Sequence, residues 1–149
     1  ATVVVTDYHA KLLNGPNVVW LRPGAALSFT APHYKRPWWK RGPKEMDECV
    51  YYLAPDYKKL TRVIDDLKQP NGIIGTPNGK LLYVTDIGAG KTYRYNIQPD
   101  GSLKDKKLFC ELSSRSCQVG VPLIIAFIRR RAPMAVRFEA TPVSFTLSQ

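Results

Sequence analysis

Two asparagines occupy matching places in this chain: Asn17 follows Pro16 and Asn71 follows Pro70, and each opens an apolar stretch. A carboxamide oxygen is a hard, neutral donor, and a calcium ion takes about six to eight oxygen ligands. Two such residues brought to one place could therefore supply part of a cation shell. Asparagine also suits turn geometry after proline with no ligand present, and spacing alone favours that plainer role. A second chemistry lies in Tyr34-Lys35-Arg36-Pro37-Trp38-Trp39-Lys40-Arg41, where cations are interleaved with flat aromatic rings. That mixture suits single-stranded nucleic acid or an anionic glycan. Lys35, Arg36, Trp38, Trp39, Lys40 and Arg41 would be its contacts. A long connection between strands, with tryptophans covering a sheet edge and lysines left in water, accounts for the same residues and is preferred. No nucleic-acid fold signature accompanies the run.

Other chemistry is weaker. Thr85-Asp86-Ile87-Gly88-Ala89-Gly90-Lys91-Thr92 ends like a phosphate-cradling loop, but Thr85 stands where the first glycine is required. Such a loop must also open a helix, whereas Thr92-Tyr93-Arg94-Tyr95-Asn96-Ile97 alternates like a strand. The stretch is expected to be a turn between strands. His9 and His33 lack a cysteine or acid at metal-ligand spacing, and no serine or cysteine sits in a recognisable nucleophile motif. Cys49, Cys110 and Cys117 are an odd number and imply neither a full disulfide framework nor a zinc site.

The elements that must position these residues recur along the chain. Pro16-Asn17 leads through an apolar stretch to Pro23-Gly24 and on to Leu27-Ser28-Phe29-Thr30. Pro70-Asn71 leads to Pro77-Asn78-Gly79 and on to Leu82-Tyr83-Val84-Thr85. With one inserted residue the two copies superpose, placing Ala31 opposite Asp86. Each is followed by a second pattern: Tyr51-Tyr52-Leu53-Ala54-Pro55-Asp56 leads to Leu60-Thr61-Arg62-Val63, and Tyr95-Asn96-Ile97-Gln98-Pro99-Asp100 leads to Leu108-Phe109. Short apolar runs broken by Pro and Gly read as hairpins. Two hairpins per unit make four strands, and unit lengths of about 40–50 residues suit the blade of a β-propeller. The expected fold is all-β: an incomplete β-propeller of about two to three four-stranded blades. An ordinary β-sandwich is the plainer alternative.

Composition agrees with many short strands, with 12 Pro, 10 Gly and 44% hydrophobic residues in 149. The formal charge of +10 is concentrated in the 34–44 stretch and in Arg115, Arg129, Arg130, Arg131 and Arg137, so it belongs to a loop and an end rather than to the fold. Nucleic acid is not the favoured partner. No signal peptide or membrane-spanning run is seen in this chain, which leaves the compartment open.

Pro70-Asn71-Gly72-Ile73-Ile74-Gly75-Thr76-Pro77-Asn78-Gly79-Lys80-Leu81-Leu82-Tyr83-Val84-Thr85-Asp86, with Gly90-Lys91-Thr92-Tyr93-Arg94-Tyr95, closely resembles the SMP-30/gluconolactonase/LRE family. Asn14-Gly15-Pro16-Asn17, Phe29-Thr30-Ala31-Pro32-His33-Tyr34 and Lys107-Leu108-Phe109-Cys110-Glu111-Leu112 extend the match. The resemblance implies a six-bladed parent propeller whose channel holds a divalent cation, usually calcium, and which hydrolyses lactones such as gluconolactone. It implies that Asn71 ligates the metal and that Asn17 contacts metal or substrate. A small lactone is then the partner, with self-association through unpaired blades a further expectation. Residues 1–114 form the propeller-like part, and 115–149 form a divergent tail, out of frame or poorly ordered.

The sequence departs from the family pattern where acidic residues are usual. Val18 stands where an Asp follows the first Asn, and Ala31 replaces the Asp of a Phe-Thr-Asp-Pro motif. Ser114 is followed by Arg115-Ser116-Cys117 instead of the Asp-Gly-Met that carries a ligand and catalytic carboxylate, and the N-terminal Glu ligand has no counterpart before Val3. Catalytic residues are therefore unassigned and calcium binding is expected to be weak, because ligand charge contributes strongly to affinity. The alternative function is a non-catalytic module that binds a polyanion through residues 34–44.

Overall fold

The computed structural model describes residues 2–34, 42–113, 136–140 and 143–147. Among the described residues all regular structure is strand. A first four-stranded antiparallel sheet comprises β4 (Val19–Leu21), β5 (Leu27–Ala31), β6 (Cys49–Leu53) and β7 (Leu60–Ile64), in sequential order. A second comprises β8 (Pro70–Gly75), β9 (Leu81–Asp86), β10 (Lys91–Ile97) and β11 (Leu103–Glu111), also with each strand beside its chain neighbour. Before them β2 (Asp7–Tyr8) and β3 (Lys11–Leu12) form a small hairpin, and β1 (Thr2–Val3) pairs with β13 (Val143–Leu147), which pairs with β12 (Val136–Ala140). The two meandering sheets are the expected propeller blades.

Four hairpins within these blades, β4–β5, β6–β7, β8–β9 and β10–β11, open their turns on a proline. Pro23, Pro55, Pro77 and Pro99 preset the first corner. Two residues later, Ala25 (φ 68°), Tyr57 (φ 58°), Gly79 (φ 69°) and Gly101 (φ 89°) adopt the left-handed conformation. Their N–H groups donate back to the carbonyls of Arg22, Ala54, Thr76 and Gln98 at 2.8–3.2 Å. Asp56, Asn78 and Asp100 add side-chain acceptors for the N–H two residues on, at 2.9–3.1 Å. The loops hold three residues where the N–H groups of Arg22 and Gln98 donate to the Ala26 and Ser102 carbonyls, and four where those of Ala54 and Thr76 donate to Lys59 and Leu81, common hairpin lengths.

Strand period sorts the core into two layers. Leu27, Phe29 and Ala31 of β5 join Cys49, Tyr51 and Leu53 of β6 and Leu13 in one apolar cluster, packed by Val4, Val5 and Tyr8. The alternate residue Val50 and Ile64 of β7 join Ile73, Leu82, Val84 and Tyr95 of the second blade in the other cluster, with Val18 and Trp20 against it. β5 is buried at every position because both its faces are covered. β9, covered on one face, alternates half-buried with buried residues along its length.

Two glycines set how closely the blades approach. A Cβ on Gly75 would overlap the indole of Trp20, and one on Gly101 would overlap the ring of Tyr52. Arg22, buried, lies over the Tyr52 ring at 4.5 Å and donates from Nη1 to the Gly101 carbonyl at 3.4 Å.

Burial pushes the phenols of Tyr51 and Tyr95 well above the ordinary tyrosine range, with Cys49 and Asp66 respectively adding to the effect. The fold favours the neutral phenol, so this contribution is intact below the unfolded value of about 10 and is lost as pH rises above it. The urea midpoint should therefore fall between pH 8 and pH 11. A midpoint unchanged over that interval would mean that both phenols ionise in place.

Candidate functional site

The two asparagines converge on one threonine. Thr30 is fully buried on β5, at a position whose side chain faces the second blade. Its carbonyl accepts the Asn17 N–H at 2.9 Å, and its N–H donates to the Val18 carbonyl at 3.0 Å. Its hydroxyl accepts the Val18 N–H at 3.3 Å and donates to the backbone carbonyl of Asn71 at 2.6 Å. One proton and two lone pairs make these roles compatible. Asn17 and Asn71, from different blades, are thus each one hydrogen bond from the same residue.

Asn71 is available for this contact because β8 starts irregularly. Pro70, lacking an N–H, is tolerated at the first position of a strand, and the register with β9 slips between Pro70 and Ile73. The slip takes Asn71 out of the ladder, so its carbonyl is free to meet a hydroxyl from the neighbouring blade. The side-chain Nδ2 of Asn71 donates to the Tyr34 hydroxyl. Thr30 therefore holds the backbone of Asn71 and Tyr34 holds the nitrogen of its side chain. The carboxamide oxygen accepts no hydrogen bond among the described residues.

Asn17 is half-buried beside this contact. Both ties to Thr30 run through the backbones of the asparagines; their carboxamide oxygens are neutral donors, of a kind that suits a hard cation but brings no charge. Among the described residues no group of three or more His, Cys, Asp and Glu is placed to hold a metal ion.

Asp86, the buried acid nearest in sequence, serves the backbone. Its Oδ2 accepts the Lys68 N–H at 2.9 Å, and its Oδ1 accepts those of Gln69 at 2.8 Å and Ala89 at 3.2 Å. The matching residue of the first blade, Ala31, lies in the apolar cluster with Leu13, Phe29 and Cys49. Asn14 does a comparable job there, donating from Nδ2 to the carbonyls of Met46 and Asp47 at 3.1 Å each. Ala31 thus sits among apolar side chains where the equivalent Asp86 of the second blade fastens a strand end.

Gly90 closes a turn onto the Ile87 carbonyl at 3.4 Å, and Lys91 begins β10 rather than a helix. The strand-connecting turn holds, and no phosphate loop is formed. Cys49 is a buried free thiol, which burial pushes up in pKa and so toward the unreactive form. Lys35, Arg36, Trp38, Trp39, Lys40 and Arg41 lie outside the described residues. The sequence marks Tyr34 only as the start of the basic-aromatic run and gives Thr30 no role, although Thr30 matches Thr85 in the internal repeat, a signal that could have pointed to a polar residue facing the next unit.

A family model described as SMP-30/Gluconolactonase/LRE-like region matches residues 5–122. Lactonase drp35 of Staphylococcus saprophyticus is 38% identical over 52 residues, covering 35% of this chain and 16% of that protein. The Staphylococcus aureus lactonase drp35 is 36% identical over the same length and coverage. Among solved structures, a gluconolactonase from Xanthomonas campestris superposes with a TM-score of 0.66 at 30% identity, over 74% of this chain and 38% of that one. The chain therefore spans well under half the length of these relatives.

Proposed function

The chain belongs to the SMP-30/Gluconolactonase/LRE-like family, and from that premise we propose that its two blades furnish the asparagine-bearing sector of a metal-dependent lactonase site. The substrate would be a small lactone of the gluconolactone kind. The observation that carries this reading is the grip on Asn71: Thr30 fixes its backbone and Tyr34 its side-chain nitrogen, leaving the carboxamide oxygen to a ligand.

In this reading Asn71 and Asn17 contribute neutral oxygens to a divalent cation, with calcium preferred for its affinity for hard oxygen donors. Asn17 also contacts the lactone. Such a cation supplies Lewis-acid polarisation of an ester carbonyl. The residues described here bind and orient; the carboxylates needed for tight metal binding and for catalysis would come from residues beyond those described or from another chain. Calcium affinity with this donor set alone is weak.

Calcium titration of the chain by calorimetry, with gluconolactone hydrolysis followed in the presence and absence of calcium, tests the proposal. Asn71→Ala should weaken calcium binding about tenfold or more, roughly 1.4 kcal/mol, and remove any calcium-dependent hydrolysis. Calcium binding that is unchanged in Asn71→Ala would sink the assignment of Asn71 as a ligand.

A further inference from the structure

We propose that Tyr34 is a positioning residue for Asn71: its hydroxyl holds the nitrogen of the carboxamide and so keeps the oxygen turned to the ligand. The inference rests on the cation reading above and adds to it a residue from the other blade. An asparagine side chain ends in an oxygen and an NH2 of similar size and opposite hydrogen-bonding character. The torsion that exchanges them is broad and nearly two-fold. Presented by its oxygen, Asn71 is a metal ligand; presented by its nitrogen, it repels a cation.

A hydroxyl can serve either end, donating to the oxygen or accepting from the nitrogen; here that of Tyr34 accepts from the nitrogen, and a cation at the oxygen favours the same arrangement. Thr30 anchors the Asn71 backbone at 2.6 Å and leaves the side-chain torsions undetermined. β5 ends at Ala31, and Pro32 cannot extend the ladder as a donor. The chain leaves the sheet there and carries Tyr34, half-buried, to the start of β8. The Tyr34 oxygen accepts from Asn71 Nδ2. With the nitrogen engaged, the oxygen is held at the opposite end of the group, and the cost of ordering the side chain is met before a ligand arrives. An outer contact of this kind acts on affinity through the ligand it orients.

The test uses Tyr34→Phe, which removes the hydroxyl and keeps the ring, together with Asn71→Ala and the double variant. Calcium affinity is measured by calorimetry and the Asn71 side-chain amide by 15N NMR. Tyr34→Phe should weaken calcium binding about tenfold and shift the Asn71 amide resonances, while thermal unfolding stays close to that of the parent. In the Asn71→Ala background the same change should have no further effect on affinity, because its action passes through the missing carboxamide. An additive loss in the double variant would overturn the proposal, as would parental affinity in Tyr34→Phe alongside weakened binding in Asn71→Ala. Parental affinity in both single variants, or no calcium binding by the parent chain, would instead overturn the cation reading. In that event Asn71 amide resonances unmoved by Tyr34→Phe would also remove the positioning contact itself.

Discussion

Replacing Gly101 with alanine should lower the free energy of unfolding by about 2–5 kcal/mol, the sum of a left-handed backbone penalty of about 1–2 and an overpacking penalty of about 1–3. Two causes act together. Gly101 has φ 89°, and its added methyl would overlap the Tyr52 ring. The first blade carries a natural control for the backbone part: Tyr57, likewise two residues after the proline of its turn, has φ 58° and is accommodated. Conformation alone is therefore tolerable there, and the distinctive demand at Gly101 is the close approach of Tyr52. That ring is not free to retreat, since Arg22 lies over it at 4.5 Å while bonding to the Gly101 carbonyl. Urea titration of Gly101→Ala should show a lowered midpoint. The same change made in Tyr52→Ala should cost only the backbone part. Equal losses in the two backgrounds would show that the ring contact contributes nothing.

Asp86→Ala should cost about 3 kcal/mol or more, because removing a buried acceptor leaves its donors unsatisfied and hydrogen bonds to charged groups are each worth about 1.5–3 kcal/mol. The carboxylate is 2% exposed and receives N–H groups from both sides: Lys68 and Gln69 before β8, and Ala89 in the turn after β9. It therefore ties the entry of β8 to the exit of β9, where Pro70 pairs with Asp86. Asp86→Asn retains one oxygen of similar shape and should cost less than Asp86→Ala. Chemical denaturation of both variants checks the order, and a loss below about 1 kcal/mol for Asp86→Ala would contradict a fastening role. Loosening this end also loosens the strand that presents Asn71, so the Asn71 amide resonances should broaden in Asp86→Ala.

Several of these relations were visible in the residues themselves. Pro23-Gly24, Pro55-Asp56, Pro77-Asn78 and Pro99-Asp100 announced four hairpins, because proline and a short polar or glycine neighbour have few other backbone uses. The repeated Pro-Asn placed Asn17 and Asn71 at matching positions before any geometry was known. What the sequence concealed has a physical reason in each case. Gly75 and Gly101 look like ordinary breakers, since composition cannot separate a glycine that turns from one that admits a neighbouring ring. Leu27-Ser28-Phe29-Thr30-Ala31 reads as a strand, but nothing local shows that both faces are covered or that Thr30 reaches another blade. Tyr34 was read with the cations that follow it, yet its hydroxyl meets Asn71, a residue distant in the chain. Ala31 stands where the family pattern has an acid; its counterpart Asp86 shows what such an acid does in the second blade, which is to fasten backbone.

The tie from Thr30 to Asn71 is directional. The surface that the first blade offers is not the surface with which the second receives it, so this is a heterologous contact rather than a self-complementary one. Thr85 occupies in the second blade the place of Thr30 in the first, with its hydroxyl 3.1 Å from that of Thr92. A contact of this type, repeated with a constant rotation, advances around an axis and closes only when the rotations complete a full circle. The fit of one threonine hydroxyl against one carbonyl is thus also a statement about angular pitch: it helps fix how many such units a ring can contain.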